Sequence, residues 1–257
     1  MLMLKWVMLS QSNTLYNLTF RSGEEKAFNV LFNIRKHGNL FVGGISGDTV
    51  SSTIGNTSIQ NIELSVKLDT SSSDYNHIRT YGLDCNIYVG GMFGRLHSTA
   101  LTNARYNSGL NINIERYNVV TSNDIYPLYA GGMVGYLELS SITEMISGAL
   151  AKSINVSAHY MINYVGGLVG YNGSNSFVGG RGSADGNYNE INVSVFGNEN
   201  TGSFVGGIIG YNRSTARVVS RIFNLGNITI TNNNAQGIVN IGGIIGQSDA
   251  GNLHYVY

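Results

Sequence analysis

A heptapeptide built around two adjacent glycines occurs six times, and this repetition constrains the fold more than any other feature of the chain. In the copy from Tyr164 to Gly170, an aromatic residue is followed by a small aliphatic residue, Gly-Gly, an aliphatic residue, any residue and Gly. Six near-copies at a loose period predict a repeat architecture. The copies span residues 41–47, 88–94, 129–135, 164–170, 204–210 and 240–246, so the period varies between 35 and 47 residues.

The segments between the motifs alternate apolar and polar residues, as strands with one buried face do. The clearest examples run from Ile62 to Leu68 and from Leu110 to Ile114. Three short strands per repeat, joined by polar turns, predict an all-β, right-handed parallel β-solenoid of about six coils. At about 4.8 Å per coil the stack is roughly 29 Å long. The longest insertion, from Asp69 to Cys85, is polar.

Two regions are expected: an N-terminal cap at 1–36 and the repeats at 37–257. Alternation around Phe20 and from Phe28 to Ile34, on either side of a polar turn, predicts a β-hairpin cap. A short helix competes, because Ser22 and Glu25 have capping-box spacing. The hairpin is favoured because its neighbours are strands, and either structure closes one end of the array.

Residues 1–9 are apolar but too few to span a bilayer, and they lack the basic leader and cleavage site of a signal peptide. We expect them to form a first strand. The chain ends at Tyr257, soon after the sixth motif, which favours a piece of a longer polypeptide.

The composition argues against several classes of partner. Only 12% of the residues are charged and the formal net charge is zero, so the electrostatic pattern of a nucleic-acid binder is missing. No charge pattern for anionic lipid is present, and no membrane insertion is expected. Cys85 is the single cysteine, so no internal disulfide forms, as in a cytosolic protein or a surface protein stabilised by its repeats.

The paired glycines are predicted to lie within one strand, where two missing Cβ atoms permit close approach of a neighbouring backbone. If one of these glycines has a positive φ, an alanine in its place is expected to clash. We therefore expect Gly166→Ala or Gly206→Ala to destabilise the protein more than Gly251→Ala.

The segments Gly166–Asn172, Gly206–Asn212, Gly131–Tyr136 and Gly242–Gly246 resemble the GLUG motif. That repeat is associated with β-helical regions of bacterial and protist surface proteins and of immunoglobulin A-cleaving metallopeptidases. The resemblance covers about residues 37–257 and implies a β-helical stalk or scaffold. Ser46 in the first copy and Asn240 in the last depart from the pattern.

No catalytic, cofactor-binding or metal-binding residue is assigned. The histidines do not form the His-Glu-x-x-His pattern of a zinc peptidase, and they are interpreted as surface residues. Nucleotide loops and nucleophile elbows are missing, and Cys85 has no assignable histidine partner. The histidines are His37, His77, His97, His159 and His254, and the acids considered for a catalytic pair, which fall at unmatched positions, are Glu115, Glu138, Glu144 and Glu190.

Two features left weaker hypotheses. Residues 179–190 come within one residue of a calcium-binding repeat, but Glu190 stands where the loop needs Gly, so a flexible corner is preferred. Seven Asn-x-Ser/Thr sequons occur, three of which (Asn155, Asn192 and Asn227) are expected at equivalent outward positions, where glycans would fit on a secreted eukaryotic protein. The other sequons start at Asn17, Asn56, Asn172 and Asn212.

The aromatic residues that head the motifs are expected to form a ladder, more readily as part of the core than as a binding stripe. The favoured function is a non-catalytic module of a cell-surface or secreted protein, an adhesin-like stalk or scaffold for a host or matrix protein or a glycan. The alternatives are the β-helical region of a larger carbohydrate-active enzyme or peptidase, and an intracellular scaffold. The ladder residues are Phe41, Tyr88, Tyr129, Tyr164 and Phe204.

Overall fold

The computed structural model describes residues 14–16, 19–21, 27–33, 39–69, 86–117, 126–147, 152–158, 161–180, 187–197, 202–215, 217–232, 237–249 and 252–256. In these ranges every regular element is a strand, which confirms the all-β prediction. The strands are β1 (Thr14–Tyr16), β2 (Thr19–Arg21), β3 (Ala27–Asn33), β4 (Leu40–Gly43), β5 (Ser46–Val50), β6 (Thr53–Asp69), β7 (Ile87–Gly90), β8 (Phe93–His97), β9 (Ala100–Tyr117), β10 (Tyr126–Gly131), β11 (Val134–Glu138), β12 (Ser141–Ser147), β13 (Lys152–Ser157), β14 (Met161–Gly166), β15 (Val169–Asn172), β16 (Phe177–Gly179), β17 (Asn187–Asn189), β18 (Asn192–Gly197), β19 (Ser203–Gly206), β20 (Ile209–Asn212), β21 (Arg217–Asn224), β22 (Ile228–Asn232), β23 (Val239–Gly242), β24 (Ile245–Ser248) and β25 (Asn252–Val256).

These strands form three sheets of parallel neighbours, an arrangement compatible with a parallel β-solenoid. Sheet I has the order β23-β19-β14-β10-β7-β4, and sheet II has the order β24-β20-β15-β11-β8-β5. Sheet III contains the other 13 strands. Sheets I and II each take one strand from every copy of the motif, and we number these levels rung one to rung six from the N-terminal side.

The motif is a bend between sheets I and II, and the prediction that it lies within one strand is wrong. Strand β14 ends at Gly166, Gly167 and Leu168 form the bend, and β15 begins at Val169. The N–H groups of Gly167 and Leu168 donate to the carbonyl oxygens of Gly206 and Ile208 on the next rung, at 3.1 and 3.0 Å. The bend therefore pairs with the bends above and below it as the strands do.

Close packing within each bend and between successive bends explains the glycines. A Cβ atom built on Gly166 or Gly206 would lie 2.0 Å from a carbonyl oxygen of its own bend, that of Val169 or Ile209, and 2.6 or 2.7 Å from one of the next rung, that of Ile208 or Ile244. Neither glycine has a positive φ, so the steric reason is the neighbouring backbone rather than the left-handed conformation we expected. Gly251 lies outside the described residues.

The core lies between the three sheets and is filled by the same motif positions on each rung. Val165, Leu168 and Val169 are fully buried in the fourth copy, and their counterparts on rungs two, three and five are buried too. The register is continuous through the stack, with Val165 opposite Ala130 on one side and Val205 on the other. Each rung therefore hides its apolar side chains by contact with its neighbours.

A ladder of hydroxyl groups lines the corner where sheet II leads into sheet III. In the first four of its five residues, the backbone N–H donates to the hydroxyl oxygen of the equivalent residue one rung later, at 3.0 to 3.4 Å. All these residues are buried, so the hydroxyls satisfy N–H groups that would be costly to leave unpaired. The ladder consists of Ser52, Thr99, Ser140, Ser176 and Ser214.

The strand prediction near the N-terminus is confirmed, but the hairpin and the helix are not what the structure contains. β2 and β3 both pair with β6 in parallel, and in this register Phe20 is opposite Ile59 and Phe28 is opposite Leu64. This segment therefore adds strands to sheet III. The strand expected at residues 1–9 lies outside the described residues.

We expect Gly166→Ala and Gly206→Ala each to lower the free energy of unfolding by about 1–3 kcal/mol, because the added Cβ must push a backbone carbonyl away. The control is Gly243→Ala, at the second glycine of the last motif, since a Cβ atom on Gly243 meets nothing within 4 Å. The measurement is urea unfolding followed by circular dichroism. Equal losses of stability in all three variants would contradict the explanation.

Candidate functional site

The first residues of the motifs form a ladder of stacked rings along sheet I. Neighbouring ring centroids are 4.7–5.2 Å apart and the ring planes agree within 13°. The spacing follows from the in-register pairing of parallel strands. Row one consists of Phe41, Tyr88, Tyr129, Tyr164 and Phe204.

A second row of rings runs beside the first and was not predicted. Tyr136, Tyr171 and Tyr211 directly follow the last glycine of their motifs and stack at 5.0 and 5.2 Å on sheet II. The only signal in the sequence was the recurring Gly-Tyr dipeptide. Rings of the two rows meet edge to face, with centroids 5.0–5.5 Å apart and planes 74–88° apart. We call the two rows together the double ladder.

The preferred interpretation, a ladder inside the core, holds for Tyr88, which is 7% exposed, but not for the other residues of row one, which are only partly buried. Along β14, Val165 points into the core and is fully buried, while Tyr164 on the opposite face is only half-buried. Tyr129 and Tyr136 are likewise partly exposed. The motif bend places residues one and eight of each repeat on the same outer surface. The double ladder therefore lies on the outer side of the bends, where six of its rings are partly exposed and two, Tyr88 and Tyr171, are buried.

Ring packing also changes the acidity of the phenols. Burial raises the pKa of Tyr129, Tyr136 and Tyr164 above the ordinary value near 10. Nearby negative charge raises each pKa further, chiefly that of the Glu138 carboxylate for Tyr136 and that of neighbouring tyrosines for Tyr129 and Tyr164. Burial raises the pKa of Tyr171 and Tyr211 in the same way. The phenols stay neutral at physiological pH, so their hydroxyls can both donate and accept hydrogen bonds.

Polar groups close both ends of the double ladder. At the first rung, the Arg95 guanidinium lies 4.8 Å from the Phe41 ring centroid and binds both carboxylate oxygens of Asp48, at 2.7 and 2.8 Å. At the sixth rung, Asn240 and Gln247 replace the aromatic residues of the two rows. The Gln247 amide donates to the Asp249 carboxylate at 2.9 Å, and the Tyr211 hydroxyl donates to the same carboxylate.

This geometry determines what the double ladder offers to a ligand. The ring faces are covered by neighbouring rings, so the stripe exposes ring edges and phenol hydroxyls instead of flat platforms. The pattern repeats about every 5 Å along the stack. It suits an extended partner that presents polar groups at regular intervals along its length.

The predicted surface histidine His97 contacts an acid. Its Nδ1 lies 3.4 Å from Oε2 of Glu138 on the next rung of sheet II, and both side chains are about one third exposed. Glu115 is on sheet III, opposite Ser157, and Glu144 is on another strand of that sheet with a φ of 59°. Strands of different sheets thus carry the candidate acids Glu115 and Glu138, and the two do not form a pair.

The outer face of sheet III has a shallow depression of about 130 Å³, lined by polar residues such as Asn113 and by apolar ones such as Val156 and Phe196. Asn155 donates to Asn113 at 2.9 Å beside it. The register corrects the sequon prediction: Asn155 lies opposite Ser194, while Asn192 and Asn227 are level with each other. Asn192 and Asn227 are exposed.

Two sequon asparagines are structural. Asn172 and Asn212 are fully buried, and Asn172 donates to the Asn212 side chain at 2.9 Å. Asn212 in turn donates to Ser248 at 2.8 Å. The triplets alone did not distinguish these buried amides from exposed acceptors.

Several predictions fall outside the described residues. Four single residues are among them: Cys85, His37, His77 and His159. Most of the insertion at 69–85 is also outside these ranges, as is the centre of the calcium candidate at 179–190, including Asp185. Among the residues that are described, no group of three or more His, Cys, Asp or Glu side chains is placed to hold a metal ion. Within the same ranges there is no helix long and apolar enough to cross a membrane.

A buried lysine interrupts the core beneath sheet III. Lys152 lies level with Leu110 and Ile191 on the neighbouring chain segments of sheet III, and only 2% of its surface is exposed. Its Nζ lies 3.4 Å from the carbonyl oxygen of Tyr106 and 5.8 Å from the ring centroid of the same residue. Burial lowers the pKa of Lys152 to about 8, and the Glu190 carboxylate acts in the opposite direction.

We expect stability to fall as the pH rises above about 10, because unfolded tyrosines lose their protons near pH 10 whereas the ladder phenols hold theirs to higher pH. The stabilisation by these raised pKa values is complete below pH 10. The test is urea unfolding at pH 9 to 11 of wild type and of Tyr136→Phe/Tyr164→Phe, which should lose less stability over this range. An identical decline in both proteins would contradict this assignment.

Lys152 is expected to make stability rise with pH, over a lower pH range than the tyrosines. Between pH 8 and 10 the unfolded chain keeps the lysine proton and the folded chain releases it, so we expect the free energy of unfolding to rise by about 1–2 kcal/mol. Lys152→Met should remove this rise, and Lys67→Met, at an exposed position, should retain it. A rise that persists in Lys152→Met would show that another group is responsible.

No protein-family model, curated protein or solved structure matches this chain. The resemblance to the GLUG motif therefore remains a prediction that rests on the repeated residues themselves.

Proposed function

We propose that the chain is a non-catalytic GLUG-type repeat module of a cell-surface or secreted protein, and that it acts as an adhesin-like stalk or binding scaffold through the double ladder. The observation that carries this proposal is the continuous stripe of eight rings, from Phe41 to Tyr211, on the outer surface of the motif bends.

The proposal includes a right-handed β-solenoid of about six coils, capped by residues 1–36. Three observations support it: parallel pairing throughout the described strands, an unbroken register over six rungs, and the strong preference of parallel crossovers for the right hand. The cap is supported by β1, β2 and β3, which pair with β6 beyond the first rung.

The partner is a host or matrix protein or a glycan that lies along the stack. Neutral phenol hydroxyls and ring edges form hydrogen bonds and apolar contacts without a charge requirement, which agrees with the zero formal net charge. Tyrosine suits such a surface because it supplies a large contact area and loses little conformational freedom on binding.

The test is binding of the wild-type chain to immobilised matrix proteins and linear glycans, followed by the variant Tyr136→Phe/Tyr164→Phe/Tyr171→Phe. The variant keeps the rings and removes three hydroxyls, so we expect binding to weaken about tenfold or more. The control is Lys67→Ala/Glu115→Ala, which alters the exposed face of sheet III and should bind like wild type.

Three outcomes would overturn the proposal. They are the lack of saturable binding to any member of the panel, equal binding by the phenylalanine variant, and cleavage of a bound glycan or protein. Melting temperatures of all three proteins are measured alongside, so that weaker binding is not confused with unfolding.

A further inference from the structure

Six of the eight rings in the double ladder are tyrosines, and they form one continuous cluster on rungs two to five. Phe41 and Phe204 stand at the two ends of row one, and every ring between them is a phenol. Centroids of neighbouring tyrosine rings are 5.0–5.5 Å apart. Phenols are oxidised far more readily than unsubstituted rings, so the cluster concentrates groups that can lose an electron. Its members are Tyr88, Tyr129, Tyr136, Tyr164, Tyr171 and Tyr211.

Tyr171 lies at the centre of this cluster. Its ring centroid is 5.0 Å from that of Tyr136 and 5.2 Å from that of Tyr211, the two neighbours in row two. In row one, the centroids of Tyr129 and Tyr164 are 5.3 and 5.4 Å away. Four phenols therefore surround one phenol, and all five belong to rungs three to five.

Tyr136 and Tyr171 are the closest parallel pair of tyrosines in the double ladder. Their ring planes differ by only 6°, whereas the two nearby rings of row one meet Tyr171 at 79° and 83°. Strands β11 and β15 pair in parallel with Tyr136 directly opposite Tyr171, so like atoms of the two residues stand about one strand spacing of 4.8 Å apart. The ring carbons beside the two hydroxyls therefore approach each other, and rotation about χ2, which is a soft torsion in tyrosine, brings them closer.

The packing of these rings permits a neutral radical although it opposes a phenolate. Burial raises the pKa of Tyr136 and Tyr171, because a charged phenolate loses solvation there. A phenol that loses one electron together with its proton becomes a phenoxyl radical without net charge, so burial does not penalise it in this way. Tyr136 is partly exposed and open to an oxidant, and the buried Tyr171 exchanges a hydrogen atom with the four phenols around it.

We infer that Tyr136 and Tyr171 are a site of oxidative cross-linking, at which hydrogen peroxide and a haem peroxidase join rungs three and four through a dityrosine bond. One hydrogen atom leaves each phenol O–H group, and the two radicals form one carbon–carbon bond between the ring carbons beside the hydroxyls. The hydrogen on each of these carbons then moves to its phenol oxygen. The peroxide O–O bond breaks and takes up the two hydrogen atoms removed, which gives two water molecules. The reaction involves no binding partner, so it is independent of the proposed binding function.

The bond would give the stack a covalent link between rungs. One full repeat separates Tyr136 from Tyr171, so the link closes a loop of the chain in the way a disulfide does. Such a link stabilises a protein mainly because it restricts the unfolded chain. With Cys85 as its single cysteine, this chain forms no disulfide within itself, and the tyrosine pair supplies a cross-link of another chemistry.

The experiment treats the full chain, at low concentration, with a haem peroxidase and hydrogen peroxide. Dityrosine fluorescence follows the reaction, and tandem mass spectrometry of trypsin-digested monomer locates the bond. We expect a linked product of residues 117–152 and 153–181 that has lost two hydrogen atoms and is joined at Tyr136 and Tyr171. Unfolding in urea before oxidation should lower its yield at least about tenfold, because the phenols are then no longer held together. Tyr188→Phe, which removes a tyrosine outside the double ladder, should give the wild-type yield.

Stability provides a second measurement. Oxidation should raise the melting temperature of wild-type monomer by at least about 5 °C more than that of Tyr171→Phe treated in the same way. Four results would overturn the inference: no linked product in the monomer, a bond mainly between other tyrosines, equal yields from folded and unfolded protein, and equal changes of melting temperature in wild type and Tyr171→Phe.

Discussion

The bend at the paired glycines brings the backbones of successive rungs closer than any side chain permits. The carbonyl oxygen of one rung occupies the place where the Cβ of the glycine one rung earlier would stand, and the N–H groups of the bend donate to carbonyl groups of that next rung. These contacts recur at every level from Gly44 to Gly207. Because these contacts fix the register of the bends, they also fix the register of the strands of sheets I and II on either side of each bend. Equivalent side chains on successive rungs are therefore aligned in columns along the stack.

Like residues therefore stand above like residues throughout the stack. Aromatic residues form the double ladder, hydroxyl residues form the corner ladder from Ser52 to Ser214, and amides pair through Asn172 and Asn212. Each kind of column makes a different type of contact. The rings cover the outside of the bend, the hydroxyls accept hydrogen bonds from corner N–H groups, and the buried Asn172 amide donates to the side-chain oxygen of Asn212. A chain of low charge gains much of its polar order in this way from uncharged side chains.

The same repetition separates building positions from positions open to partners. The side chains of the inner columns are buried by contacts between rungs. Lys152 is a polar residue among them, and its burial lowers its pKa. The outer columns differ, because their contacts within the chain are incomplete. The double ladder leaves ring edges exposed along its length, and this is the surface that we propose for binding a partner.

The sequence by itself determined the repeat, the strand content and the parallel stacking, because periodic glycines and alternating apolar residues are local patterns. It did not determine which face of a strand points inward. Residue one of the motif was expected in the core, but the bend between Gly166 and Val169 turns it outward and brings Tyr171 beside Tyr164. It also did not separate the buried sequon at Asn172 from the exposed one at Asn192. Those distinctions depend on which rung lies above and below a residue, and only the tertiary structure decides this, since register is a relation between segments about 40 residues apart.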